Sequence, residues 1–210
     1  MTSESRIQAP TGEKKILLHV CCAPCSCSII QRLTQIESEL TVFFYNPNIY
    51  PREEYEKRKQ EVIRFIHQKN IPFVDADHEI DRWFEAIKGH EEDPERGERC
   101  DLCFEMRLGK TAEYASKHHF KVFATSLGIS RWKDLEQVNR AGEKTAALFP
   151  GLTYWAQNWR VGGGRELMDE IVKEQQIYRQ RYCGCLYSLR ESLRRGLDRF
   201  SGDRSAKPNI

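Results

Sequence analysis

The sequence predicts an α/β domain: a Rossmann-like three-layer fold with a mostly parallel sheet of four to five strands, plus a C-terminal helical segment. Three observations predict it. Short apolar runs bounded by turn residues alternate with longer amphipathic segments along most of the chain. Each interval between runs leaves room for a crossover helix, which parallel neighbours require. The unusual residues follow the apolar runs directly, and ligands of open parallel sheets bind beyond the carboxyl ends of the strands.

Residues 1–13 mix Ser, Pro, Gly and charge without periodicity, and read as a disordered arm ahead of a single domain over 14–200. KILLHV at 15–20 is the first strand, and CCAPCSCS leads from it into an apolar-periodic helix near 28–36. ELTVFFY at 39–45 is the second strand, ended by the turn NPNIYP. Residues 52–69 form a helix with Tyr55, Val62, Phe65 and Ile66 on one side. IPFVD at 71–75 is the third strand, and a short helix follows over 81–88. The polar loop EEDPERGE feeds a helix over 102–117, and the fourth strand lies at 121–125. SLGISRWKD opens onto a helix over 135–148, and 152–156 reads as a fifth strand. After the glycine run at 162–164, helices over 165–182 and 186–197 pack on the domain, and 201–210 is a flexible tail. Asn46 follows strand two, Asp75 and Asp77 follow strand three, and Thr125–Ser126 follow strand four, so one site at one rim is expected.

Composition narrows the function. A chain of 210 residues buries roughly 70% of its unfolded surface and needs no staples to fold. No stretch nears the roughly 18 apolar residues of a membrane span, and the polar opening MTSESRIQAPTGEKK is no secretory signal. A cytoplasmic protein without a membrane partner is expected. Lys+Arg 33 against Asp+Glu 31 neither demands nor excludes a nucleic acid.

The eight cysteines are the anomaly, because structural disulfides are uncommon in a reducing compartment. They cluster: Cys21, Cys22, Cys25 and Cys27, then Cys100 and Cys103, then Cys183 and Cys185. Clustering points to metal or redox chemistry. Cys21 and Cys22 lie between a strand end and a helix start, where backbone N–H groups and the helix dipole favour thiolates. Cys22-x-x-Cys25 and Cys100-x-x-Cys103 resemble the pairs of a zinc ribbon, but residues 26–99 separate them, where a ribbon has roughly 15–20. A site assembled by the tertiary fold is expected instead. Thiolates suit an iron–sulfur cluster or zinc, with buried or regulatory thiols as the remaining reading. Cys183-Gly184-Cys185 can close only a small ring, and strained disulfides are the labile, oxidising kind. Further metal ligands or inert thiols are the alternatives for that pair.

Other residues carry weaker signals. His19 lies inside strand one and reads as a satisfied core histidine. Asp75 and Asp77 suit turn capping. VGGGRE opens a helix yet lacks a Walker lysine. Tyr50, Trp132, Tyr178 and Tyr182 sit in loops or among arginines, where they could stack on a base. Arg179, Arg181, Arg190, Arg194, Arg195 and Arg199 face only Glu191 and Asp198, an excess able to hold phosphates or an ordinary solvated face.

The words HVCCAPCS, FFYNPNIYPREEY, ERCDLCFEMRL, SLGISRWKD and IYRQRYCGC, in this order from His19 to Ser188, resemble the epoxyqueuosine reductase family of the QueH type. One stretch departs: RVGGGRELMDEIVK stands where a Lys-rich, Ser-containing segment is expected. The resemblance implies reduction of the epoxide of epoxyqueuosine in transfer RNA to queuosine, the last step of queuosine synthesis. It implies a 4Fe–4S cluster on Cys21, Cys22, Cys100 and Cys103, and a redox-active disulfide between Cys183 and Cys185. A second metal, iron or zinc, is suggested beside the cluster, with Cys25 and Asp101 as its ligands by proximity in sequence. The partners are transfer RNA carrying epoxyqueuosine in its anticodon loop and a low-potential electron donor. Asp75, Asp77, Asp101 and Tyr182 are the candidates for protonating the leaving oxygen. The rival readings are a zinc-stabilised RNA-binding or adaptor protein, and an ATP-using RNA-modifying enzyme. The second lacks a pyrophosphate loop after strand one, where CCAPC stands.

Overall fold

The computed structural model describes residues 7–130 and 132–200. Strands β1 (Lys15–His19), β2 (Glu39–Phe44), β3 (Phe73–Asp75), β4 (Val122–Thr125) and β5 (Thr153–Tyr154) form one sheet. Its order is β3-β2-β1-β4-β5, and every pairing is parallel. The helices are α1 (Ala23–Gln35), α2 (Arg52–His67), α3 (Ile80–Ala86), α4 (Glu98–Lys117), α5 (Leu135–Ala146), α6 (Gly164–Glu174) and α7 (Leu186–Phe200). α1 packs against α2 and α6, whereas α4 packs against α3 and α5, so two groups of helices flank the sheet. This is the three-layer α/β fold expected from the alternation. Among the described residues, no helix is long and apolar enough to cross a membrane.

The central strands are covered on both faces and therefore read as continuous apolar runs. Ile16, Leu17 and Leu18 of β1, Val42, Phe43 and Phe44 of β2, and Val122 and Phe123 of β4 are fully buried. The edge strands β3 and β5 are short and only partly buried, which limits the unpaired backbone they present.

Three boundaries differ from the sequence reading by four residues or more. α1 starts at Ala23 rather than near 28, because Pro24 falls in its first turn, where a missing N–H does no harm. α4 starts at Glu98 rather than 102, which puts Cys100 and Cys103 on its opening turns. α6 stops at Glu174 instead of reaching 182, and Gln176 takes a positive φ of 49°. Residues 175–185 then run as a strap over α2. Its polar groups bond there: the Tyr178 N–H donates to Glu61 (3.1 Å) and the Tyr178 hydroxyl to Glu54 (2.9 Å). Residues 7–13, assigned to the disordered arm, hold a 3-10 turn at Pro10–Gly12, with Ala9 buried in the core and Ile7 packed on it. Burial of those two side chains offsets the ordering of that segment. Residues 1–6 and the tail at 201–210 lie outside the described residues.

The strand order reverses at β1: β2 and β3 extend to one side, β4 and β5 to the other. The gap beyond the carboxyl ends of β1 and β4 is thus the topological switch point, where such sheets bind ligands. It is tightly tied, since the Ser126 N–H donates to the His19 carbonyl (2.9 Å) and the Cys21 N–H to the Ser126 hydroxyl (3.1 Å).

Candidate active site

The floor of the switch point is His19. Its Nε2 lies 3.1 Å from the Tyr45 carbonyl, which can only accept, so Nε2 carries the proton and Nδ1 accepts from the Thr125 hydroxyl at 2.8 Å. Burial, with Arg107 adding to it, lowers His19 to about 3. It is a neutral, fully bonded core histidine, as its place inside a strand suggested.

Above it lies the first thiol group. Cys21 leaves β1, Cys22 caps α1, and Cys25 sits on the first turn of α1, all three buried. Their sulfurs lie within 4.8 Å of one another, and those of Cys21 and Cys22 are 3.7 Å apart. Hydrogen bonds from Cys22 and Cys25 hold the Cys21 thiol well below its ordinary range, with Lys133 and Arg107 helping. The same sharing pushes Cys22 up to about 12 and Cys25 well above the usual thiol value. The depression expected at this helix start therefore falls on Cys21 alone. Gln180 of the strap donates to Cys22 Sγ at 3.0 Å, tying the C-terminal segment to this group. Cys27 is different: it is enclosed, its thiol bonds to the Pro24 carbonyl at 3.4 Å, and burial pushes it up to about 12.

The second group joins α4 to the strap. Cys103 packs with Trp83, Ile87 and Cys185. Cys100, Cys183 and Cys185 line a narrow cleft, together with Trp132, Lys133 and Ser188. Burial pushes Cys100 up to about 12 and also raises Cys103 and Cys185. The dithiol loop is held from both sides. Arg58 of α2 donates to the carbonyls of Cys183 (2.9 Å) and Tyr182 (3.3 Å), and the Gly184 N–H donates to the Ser188 hydroxyl (3.2 Å).

Two buried cations connect the groups. Arg107, on α4, donates to Asn46 Oδ1 at 2.5 Å, and its charge acts on both Cys21 and Cys103. Its Nε has no hydrogen-bond partner. Lys133 is 8% exposed; burial opposes its charge, but Cys183, Cys21 and Cys25 outweigh that and raise it above the ordinary lysine range. Among the described residues neither cation pairs with a carboxylate. A buried charge without a partner is costly, and sulfurs are the anions on offer. Soft thiolates beside uncompensated cations match what an anionic, thiolate-bound iron–sulfur or zinc centre requires.

Placement of the sequence-derived candidates is mixed. Cys21, Cys22 and Cys25 converge, and Cys100 and Cys103 stand with Cys183 and Cys185 across Arg107 and Lys133. Cys100 and Cys103 are not part of the group at mutual contact distance. A four-iron cluster is several atoms wide, so its ligands need not touch as those of a single ion do. Asp101 lies 3.9 Å from Arg140 and is not in the thiol group at mutual contact distance. Asp75 accepts from Lys59 (3.0 Å) and Tyr55 (3.3 Å), and Asp77 accepts from the His78 N–H (2.6 Å); neither lines the cleft. The Tyr182 hydroxyl donates to the Tyr50 carbonyl, and Tyr178 is engaged by Glu54 and Lys57. Of the four aromatic residues singled out, Trp132 alone lines the cleft, and it is 54% exposed. Gly164 packs where a Cβ would lie 2.0 Å from the Trp159 carbonyl, so the glycine run serves close packing. Arg179 and Arg195 pair with Asp169 and Glu191, and the Arg199 side chain lies outside the described residues. Arg58, Arg107, Lys133 and Gln180 were missed. Arg107 was findable, since it stands one helical turn after Cys103 and so shares its face.

A family model described as epoxyqueuosine reductase QueH matches residues 16–191. A Haemophilus influenzae protein named epoxyqueuosine reductase QueH is 50% identical over 187 residues, covering 89% of this chain and 76% of the relative. One of the same name from Acinetobacter baylyi is 49% identical over 189 residues, covering 90% and 87%. One from Thermotoga maritima is 36% identical over 179 residues, covering 84% and 91%. The matched residues run from β1 into α7 and take in both thiol groups, the cleft and the strap. On sequence and fold together, the chain belongs to the epoxyqueuosine reductase QueH family.

Proposed function

We propose that this protein reduces the epoxide of epoxyqueuosine in transfer RNA to the cyclopentene of queuosine, in the cytoplasm. The observation that carries the reading is the meeting of two thiol groups and two buried cations at the switch point of a parallel sheet. Removing the oxygen takes two electrons and two protons and releases water. Cys21, Cys22, Cys100 and Cys103 would hold a 4Fe–4S cluster, and Cys25, whose sulfur lies within 4.8 Å of those of Cys21 and Cys22, would with Asp101 hold a second metal. When bound, the cluster supplies single electrons, whereas a dithiol stores a pair. Cys183 and Cys185 are the pair that faces the cleft, where the epoxide would sit. Trp132 at the mouth offers a face on which an unstacked anticodon base can rest. An external low-potential donor restores the pair after each turnover.

Anaerobic incubation with epoxyqueuosine-containing transfer RNA and a low-potential reductant, with nucleosides read by mass, tests this. Queuosine is the expected product; colourless protein holding only zinc and giving no product would refute it. Cys100→Ala should lose iron together with turnover. Cys183→Ser should keep its iron and lose turnover, and retained turnover would remove the dithiol from the reaction.

A further inference from the structure

We propose that Arg96, Arg160 and Arg165, with the exposed indole of Trp132, form the surface that holds the anticodon loop: the arginines take its phosphodiesters and the ring stacks one unpaired base. The inference rests on the reductase reading above and deepens it, since that reading names the RNA but not the groups that bind its backbone.

The loops that precede α4, α5 and α6 supply Arg96, Trp132 and Arg160, and Arg165 stands on the first turn of α6. The backbone around Trp132 is held from both sides. Arg96 Nε donates to the Trp132 carbonyl (3.3 Å), and Arg160 Nη2 donates to the carbonyls of Ser130 (2.5 Å) and Lys133 (2.9 Å). Held this way, Trp132 is still 54% exposed, whereas Trp83, Trp155 and Trp159 are buried. An exposed indole on an anchored backbone is a stacking face, and it tolerates any sequence because every base has a π-face. Arg160 and Arg165 flank the glycine run. Gly163 takes a φ of +77°, the Gly164 N–H donates back to the Val161 carbonyl (3.3 Å), and a Cβ at Gly164 would stand 2.0 Å from the Trp159 carbonyl. The turn is therefore tight, and it brings Arg165 near enough for its charge to act on Arg160. Arg96 and Trp132 also border Cys100, Cys183 and Cys185, so RNA held on this surface lies beside the dithiol.

Electrostatics makes the occupant an anion. Arg160 is partly enclosed and its Nε is buried without a partner; burial, then the charges of Arg96 and Arg165, hold it below the ordinary arginine range. Asp134, the carboxylate that opposes this, is committed to capping α5 through the Gln137 N–H (3.1 Å). Among the described residues neither Arg160 nor Arg165 forms an ion pair, whereas Arg64, Arg179 and Arg195 are matched by Glu61, Asp169 and Glu191. Like charges gathered in this way repel, and an anion set among them relieves the repulsion. A guanidinium suits phosphate because its parallel N–H groups reach two oxygens at once. A phosphodiester chain is the anion that also brings a flat ring for Trp132. An unpaired loop turns its bases out for stacking, as a duplex does not.

Binding of the full-length protein to a synthetic anticodon stem–loop without the modified base, followed across a salt series, tests this apart from turnover. Arg96→Gln and Arg165→Gln should each weaken binding and flatten the slope of log affinity against log salt by about 0.7, the value for one single-strand phosphate. Trp132→Ala should weaken binding about fivefold or more and leave the slope as it is. Lys117→Gln, which removes one charge at the opposite end of α4, should change neither. The same RNA annealed to its complement, with no loop left, should bind the unaltered protein about fivefold more weakly or worse. An unchanged slope in Arg165→Gln would overturn the proposal. So would an equal loss in Lys117→Gln, or a duplex bound as tightly as the loop. If Arg96→Gln fails to fold, Arg165→Gln decides by itself, since its side chain forms no ion pair among the described residues. Unaltered protein that binds the stem–loop in this pattern yet converts no epoxyqueuosine would refute the reductase reading and leave the surface standing. Full conversion by the unaltered protein, with unchanged RNA binding in the arginine and tryptophan variants, would do the reverse.

Discussion

Gly184 illustrates how a single residue can be half legible. The sequence places a glycine between two cysteines and suggests freedom to close a small ring. The structure adds a second constraint: φ is +146°, and a Cβ there would stand 3.1 Å from Asn48 Nδ2 and 3.2 Å from both Arg58 Nη1 and Ile49 Cγ1. Its carbonyl also accepts from the Tyr50 N–H at 2.9 Å. Gly184→Ala should therefore destabilise the fold by more than about 1 kcal/mol, because alanine adopts such a backbone poorly and has no room. Urea unfolding of the apoprotein measures this, and an unchanged midpoint would refute it. His19 was legible because a polar residue inside an apolar strand has to satisfy both nitrogens. Lys133 was not. Nothing in RWKD marks Lys133 as a residue that turns inward, since that depends on where α5 begins and what faces it.

At the scale of elements, α6 and the strap separate local from tertiary control. Residues 165–182 keep a helical pattern, with Leu167, Met168, Ile171, Val172 and Ile177 apolar, and local reading extends the helix accordingly. Bonds from α2 end it. Arg58 is 2% exposed, pairs with Glu54 at 2.8 Å, and uses its remaining donors on the strap's carbonyls. Tyr178, Tyr182 and Cys183 thus hang on Glu54, Arg58 and Glu61 of α2, a long-range relation invisible to periodicity. Arg58→Met would leave Glu54 Oε1 and two carbonyls without their donor. Breaking a buried pair from one side costs about 3–5 kcal/mol. Alkylation of Cys183 and Cys185 in the apoprotein should accelerate as the strap loosens, while that of Cys100, on α4, changes little. Equal acceleration at all three would mean general unfolding and would refute a local clamp. The helix starts that were misplaced, α1 and α4, share a related cause: each opens in a segment whose first turn is spent on site residues rather than on apolar repeats.

For the whole molecule, the candidate ligands come from separated parts of the chain: the end of β1, the start of α1 and the first turns of α4, with the strap closing over them. The order of the sheet, rather than any local motif, brings them to one rim. That is why clustering and alternation together made the location legible, whereas the grouping of sulfurs was not. Arg107 and Lys133 are buried beside the thiols, and with hydrogen bonds from Cys22 and Cys25 they hold Cys21 below its ordinary range. A metal centre that binds the folded chain alone stabilises it by mass action, about 2.7 kcal/mol at a free concentration 100 times the dissociation constant. Because its ligands would join β1 to α4, that gain belongs to the global transition and not to one loop. Anaerobic reconstitution with iron and sulfide should raise the unfolding midpoint, and chelation should lower it again. Cys100→Ala should show no such rise, since it severs the α4 side of the link. A rise of equal size in that variant would place the metal on the three clustered thiols of the β1 rim alone, and the bridge between the two halves of the sheet would be lost.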